Sequence, residues 1–496
     1  MGVMKFRLPA NEPANRLADY RKAYITGIDR TPGRISVDVK NGILTCARDS
    51  SESGRLFVPW PIEGYGTPIV GTATLAERAN PYNLAIELAR GKLNDVRNQL
   101  SDWTQMGLQT SAELDLTLAD ARQAFIKAAT STDRPEAALL AAHHCLRSAS
   151  IAGDLLIKSY TEQVIRTRLA TTHRLSTQLG FQLDCDPTQL SPAVDWSATF
   201  NEAQLNLSWR LIAPSEGQYR WDLFDAQLAW ARRNRLNVEG GPLLDFRKSA
   251  LPDWIWLWEG DFDTISGLVS DFVRQVVQRY RGKVPIWHVV HRTGSTDILG
   301  LSEEEQIRLA ARAVQVARQA DPSAQFTIGI DRPWGEWMSQ SHFQLGPLHL
   351  CDYLLRAELG ISGVAIEVAP GYGPTGSHIR DPFEFSKLLD LYSLLNVPLY
   401  VWMAMPSAAT PDPHAEPALR VEASQWPNLP DEQTQALWAA RWMALAIAKP
   451  YVHTLNWIDP SDALPHRYPS AGLVRPDQSP KQLVSWLRTL RTGTIV

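Results

Sequence analysis

The second half of this 496-residue chain predicts a closed barrel of eight parallel strands, a (β/α)8 TIM barrel. Three observations predict it. From about residue 175 onward, short apolar runs alternate with amphipathic helices, the pattern of parallel βα units. The runs are FQLDC, LNLSW, LNVEGG, IWHVV, FTIGI, GVAIEV, LYVWMA and HTLNW, enough to close one barrel. No Gly-rich phosphate fingerprint follows the first run, which argues against an open doubly wound sheet. The intervening helices are legible: Ile265, Leu268, Val269, Phe272 and Val276 form one apolar stripe, and Ser302 with Glu305 makes a capping box.

Two smaller regions precede the barrel, which is expected over residues 173–496. Residues 1–78 predict a small β-rich domain, since AYITG, RISVDV, ILTCA, RLFVPW and IVGTATL are short strand-like runs separated by turn residues. Lys40-Asn41-Gly42 marks a hairpin, because Asn and Gly both tolerate positive φ. Trp60 and Tyr65 in PWPIEGYG offer a ligand platform there, although packing explains such aromatics as well. Residues 79–172 predict a helical hairpin or bundle: Ala85, Ala89, Leu93, Val96, Leu100 and Trp103 form one stripe, and Leu114, Leu118, Ala121, Phe125 and Ala128 another. An Ala-rich stretch from Pro135 supplies a third helix. These faces suit core packing, with oligomerisation through the helical region as the functional alternative.

Composition narrows the function. Forty-nine Lys and Arg against 53 Asp and Glu, with no long block of one sign, speak against a nucleic-acid partner. No run is long and apolar enough for a membrane span, and no secretory signal is visible at the start, so a cytoplasmic protein is expected. The cysteines Cys46, Cys145, Cys185 and Cys351 lack a zinc-ligand or disulfide spacing, and no cofactor is called for. His288, His291 and His453 show no compact ligand motif, and His288 and His291 are expected on opposite strand faces, so no metal is expected either. The 18 tryptophans are numerous, and aromatic faces suit sugar rings.

From WRLIAPSEGQYRWDLFDAQLAWARRNRLNVEGG through ALPDWIW, YRGKVPIWHVVHR, ARQADPSAQFTIGI and ISGVAIEV to GLVRPDQSPKQLVSWL, the chain resembles family ten of the glycoside hydrolases, the xylanases. The resemblance implies a retaining hydrolase with one glutamate as acid/base and another as nucleophile on different strands, carboxyls about 5–5.5 Å apart. It also shows departures. Arg292 stands at the acid/base position, with His291 for the preceding asparagine, and Met403 falls at the nucleophile position. Leu205, Asn206 and Ser208 replace sugar-binding residues of the second strand, and Gly241 and Phe246 replace histidines of the third. No carboxylate lies between Lys283 and Ser295 or between Leu391 and Thr410, so these losses do not depend on register.

Carboxylates persist at other strand ends: Glu367, Asp331 and Asp245 are the candidate catalytic groups, and Asp459 follows the eighth strand. Glu367 replaces a glutamine that the resemblance places beside the nucleophile. Its competing role is an ion pair with Arg292 or His291. The expected substrate-binding residues are His291, Arg292, Trp334, Trp402, Asn456 and Trp457, with Trp337 nearby. The partner expected is a poly- or oligosaccharide, and a fixed guanidinium suggests an acidic one. Three readings stand: a carbohydrate-interacting relative without the family's catalytic pair, an enzyme with relocated carboxylates, and a structural scaffold.

Overall fold

The computed structural model describes residues 2–10, 12, 14–131 and 133–495. The chain opens with a strand that hydropathy alone did not single out, Gly2–Arg7, whose residues alternate buried and exposed so that Met4 and Phe6 point inward. It joins a four-stranded sheet with Ser36–Lys40, Ile43–Arg48 and Tyr82–Asn83. Lys40 pairs with Ile43 across Asn41 and Gly42, both at positive φ, as a two-residue hairpin requires. A second four-stranded sheet contains Tyr24–Thr26 and Arg55–Pro59. Trp60 is buried, and the Tyr65 hydroxyl donates to Asp154 at 3.0 Å, so both aromatics are packed into the structure.

Three helices follow: Leu84–Gln105, capped by Asn83; Ala112–Thr130, capped by Ser111; and Pro135–Thr172, with proline in its first turn. Their inward faces share one apolar cluster with the strands, in which Phe6, Leu44, Leu56 and Val58 meet Leu84, Leu88, Ala142 and Leu146. Residues 2–172 therefore do not divide into separately cored β and helical parts, because neither layer buries its apolar face alone. Further along the long helix, Ala152, Leu156 and Ile157 join the core of the barrel.

The barrel closes. Its strands are Gln178–Leu183, Glu202–Leu205, a third in two pieces (Asn237–Gly240 and Leu244–Asp245), Ile286–His291, Gln325–Ile330, Ile361–Val368, Leu399–Met403 and Val452–Trp457. All pair in parallel, the third with the fourth and the eighth with the first. Ser302 caps the helix Glu303–Ala320 with the reciprocal Glu305 bond that its sequence signals.

The second strand lies three residues before the apolar run that predicts it. Leu205 ends the strand, Asn206 follows it, and Ser208 precedes the short helix Trp209–Ile212. The strand itself, Glu-Ala-Gln-Leu, carries two polar side chains into the barrel, where Glu202 meets Asn456 and Thr454 and Gln204 donates to the Gly241 carbonyl. An interior furnished with polar partners reverses the usual reading in which buried means apolar. Gly180 makes room for this layer, since a Cβ there would lie 1.9 Å from Asn456 Oδ1.

Candidate functional site at the barrel mouth

A cavity of about 380 Å³ opens at the carboxyl ends of the strands, where Asp184, Asp245, Arg292, Glu367, Trp402 and Arg467 contribute to its wall. Strand-end residues converge here because every parallel strand points the same way. At its base lies an almost fully buried ion cluster. Arg292, held at φ 63° just past the fourth strand, donates to Asp245 at 2.6 Å and to Glu367, and its Nε lies 3.8 Å from Asp331. Burial alone would lower the pKa of Arg292, but Asp245, Glu367 and Asp331 outweigh it and raise it. Conversely, burial would raise that of Asp245, yet the guanidinium groups of Arg247 and Arg292 hold it well below the usual carboxylate range.

Glu367 is the hub. Its Oε2 accepts from Arg292, from Arg467 at 3.0 Å and from His291 at 3.2 Å. Oε1 accepts from the Tyr468 hydroxyl and lies 2.9 Å from the same Arg467 nitrogen. A carboxylate offers about four lone-pair sites, and these donors fill them.

Behind His291 runs a directed chain. His288 lies 3.0 Å from His291 through ring nitrogens and 2.9 Å from the Thr327 hydroxyl. Burial pushes both imidazoles well below the usual histidine pKa, with His291 adding to the effect on His288 and Arg292 to that on His291. One proton per ring then suffices for Thr327 to donate to His288, His288 to His291, and His291 to Glu367. The two histidines share a face, contrary to strand alternation, because a bulge between His288 and Val290 shifts the register. Trp402 lies against both rings, at 4.5 and 4.7 Å.

Glycine at 329 permits this pair: a Cβ there would meet His291 Nδ1 at 2.1 Å and His288 Cε1 at 2.5 Å. Gly329→Ala is therefore expected to destabilise the fold by about 1–3 kcal/mol through overpacking. Chemical denaturation checks it, and an unchanged midpoint would contradict the placement of the two rings.

Two more acids line the mouth, Asp184 and Asp459, each pushed up to about 7 by loss of hydration, with the charge of Asp459 adding to the effect on Asp184. Among the described residues one trio, Asp412, Asp462 and His466, has the spacing of metal ligands. Its atoms are otherwise engaged. His466 meets the Leu464 carbonyl at 2.8 Å and Asp412 at 3.0 Å, one through each ring nitrogen, and Lys481 pairs with Asp462. Burial would lower the pKa of His466, but Asp459, the Leu464 carbonyl, Asp412 and Asp462 raise it. The trio is thus held together by its own hydrogen bonds and by the Lys481 ammonium.

Residues 198–329, from before the second strand into the fifth, match the model of glycosyl hydrolase family 10. That stretch of the barrel is therefore similar to family 10. Endo-1,4-beta-xylanase 3 of Hypocrea jecorina is 31% identical over 130 residues, which is 25% of this chain and 36% of that protein. Endo-1,4-beta-xylanase B of Thermotoga neapolitana is 28% identical over 200 residues, 39% of this chain and 54% of that one. The chain thus spans about a third to a half of the length of these curated relatives. Among solved structures, xylanase 10B from Thermotoga maritima aligns with 67% of this chain and 97% of its own, at 17% identity and a TM-score of 0.49.

Within this family 10-like barrel the residues singled out by sequence separate into two groups. Glu367, Asp245, Asp331, Asp459, His291, Arg292 and Trp402 come together at the mouth or directly beneath it. The others do not. Trp457 is core, its indole donating to the Ala471 carbonyl at 2.9 Å, and Asn456 lies deeper in the barrel beside Glu202. Trp334 packs under Arg380 towards the N-terminal unit, and Trp337 under Arg332. Met403 belongs to the apolar layer between barrel and helices, and the inward residue paired with Glu367 is Trp402. A one-residue step reverses facing on a strand. Arg467 and Tyr468 were missed. Their one sequence signal is an Arg-Tyr pair between Pro465 and Pro469, in the loop after the eighth strand.

Proposed function

We propose that this family 10-like barrel binds a neutral saccharide at its mouth and does not cleave xylan by a retaining mechanism. The observation that carries this reading is the saturation of Glu367, which leaves no lone pair to attack an anomeric carbon. Arg292 supports it from the fourth strand, since a guanidinium charged at every working pH donates no proton to a leaving group. Paired with three carboxylates, Arg292 is not free to hold an acidic sugar, so a neutral one fits better. Two groups lining the cavity keep unmet donors, Trp402 Nε1 and Arg467 Nε, neither with a partner among the described residues. The neutral polar side chains of Gln182, Asn206 and Ser249 also line the cavity and suit sugar hydroxyls.

The relocated-catalysis reading has one observation behind it, that Asp459 and Asp184 reach about 7 and so suit a general acid. An acid alone is insufficient. The retaining reaction also needs a carboxylate free to attack, and Glu367 and Asp245 are both held by arginine.

Incubation with xylan and xylo-oligosaccharides is expected to release no product, while xylohexaose binds in a calorimetric titration. Asn206→Ala, at the half-buried amide on the cavity wall, should weaken that binding about 3- to 10-fold, the size of one hydrogen bond. Release of xylobiose that is lost in Glu367→Gln would overturn the reading.

A further inference from the structure

A larger cavity, about 590 Å³, lies where the N-terminal unit meets the outer face of the barrel. Its walls come from the sheet around Tyr24 and Phe57, the helix Leu84–Gln105, and the barrel helix Pro382–Ser393. Its charged floor is neutralised internally. Asp95 accepts from Arg55 at 2.7 Å and from Lys387 at 2.9 Å, and Lys387 also reaches Glu384 at 3.1 Å. Asp390 is paired with Lys449 at 2.7 Å. The remaining charges, Arg30 and Asp102, are opposite in sign and sit exposed at the rim.

What the cavity leaves unpaired is neutral and polar. The Trp334 indole nitrogen is buried without a partner among the described residues. The amides of Asn94 and Asn98, four apart and so on one face of the helix, form no hydrogen bond to a described residue. Each amide offers both donor and acceptor, as a pair of neighbouring hydroxyls demands, and the half-buried rings of Trp334 and Phe57 add apolar surface beside them, Trp334 lying under Arg380 and Phe57 stacked on Tyr24. A phosphate or uronate would need an unpaired cation in the floor, and there is none among the described residues.

We propose that this cleft is a second saccharide site, one that takes a neutral oligosaccharide and is built jointly by the N-terminal unit and the barrel. It shares no residue with the mouth, so the two sites stand or fall separately. It also gives the N-terminal unit a role in recognition, since that unit contributes both amides.

The test is calorimetric titration of the full chain with xylohexaose and with cellohexaose, using an oligouronate of equal length as the charged control. Wild-type protein should show two classes of site for at least one of the neutral sugars and none in the cleft for the uronate. The double variant Asn94→Ala/Asn98→Ala, with helical content unchanged by circular dichroism, should weaken one class about tenfold and retain the class that Asn206→Ala weakens. A single class in the wild type that is unaffected by the double variant overturns the cleft proposal and leaves the mouth reading intact. Binding removed by the double variant but indifferent to Asn206→Ala supports the cleft and counts against the mouth. Absence of binding by any neutral hexasaccharide, or equal occupancy of the cleft by the uronate, overturns the cleft proposal.

Discussion

Glu367→Gln is expected to lower stability by about 3–5 kcal/mol, the range for removing one partner from a buried ion pair. The amide keeps the shape of the side chain but replaces one acceptor oxygen by a donor, which then faces Arg467 and either Arg292 or Tyr468. Two guanidinium groups, both almost fully buried, lose their common counter-charge. Asp245 and Asp331 still face Arg292, so the cluster weakens without reversing sign, and the fold should persist with a clearly lower melting temperature. Thermal denaturation by circular dichroism reads the effect. A melting temperature within a degree of wild type would show that Glu367 is not the hub described here, and would return it to candidacy as a catalytic group.

Raising the pH from 5 to 9 should destabilise the protein steeply, and Glu239→Gln should relieve part of that loss. Glu202 and Glu239 lie together inside the barrel with no cationic partner among the described residues. Asn456 is the one uncharged side chain near Glu239, whose oxygens otherwise lack a donor among the described residues, so its contact with Glu202 is a hydrogen bond only when one of the two carries a proton. Burial raises Glu202 to about 7 and, helped by the charge of Glu202, Glu239 well above its ordinary 4.5. The sign follows from linkage. The folded chain holds protons that the unfolded chain has released above its own carboxylate pKa, so this stability is complete below that value. It is lost as pH climbs through the folded values. The loss is about 1.4 kcal/mol per pH unit for each extra proton held. Glu239→Gln supplies a permanent donor to Glu202, so denaturation midpoints measured from pH 5 to 9 should slope less than in the wild type. Asp184 and Asp459, also raised to about 7, keep some slope in the variant. Identical slopes would sink the idea of a shared proton.

How far the sequence reaches can be judged strand by strand. Strands four to eight are found within a few residues of their apolar runs, because one face of each packs on helices and keeps a continuous apolar signal. Strand two escaped that test because Glu202 and Gln204, polar and buried, make it look like a loop. Gly2–Arg7, although paired on both sides, is legible only as a short run in which Val3, Lys5 and Arg7 face out.

The site shows the same division more sharply. From the sequence alone it was determined that no carboxylate lies at the ends of strands four and seven, that Glu367 and Asp245 sit near strand ends, and that Arg292 stands among them. Composition and strand order suffice for those statements, since in a parallel barrel every strand end reaches one face. Only the tertiary structure decided what these groups do to each other. The bulge that brings His288 and His291 to one side, the facing that buries Met403 and presents Trp402, and the return of Arg467 and Tyr468 from a distant loop are set by pairing and packing across the chain. A carboxylate's role depends on which donors reach it, and those donors here come from residues 76 positions before Glu367 and 101 after it. No local pattern encodes a contact closed at that range, because it exists only once the barrel has closed.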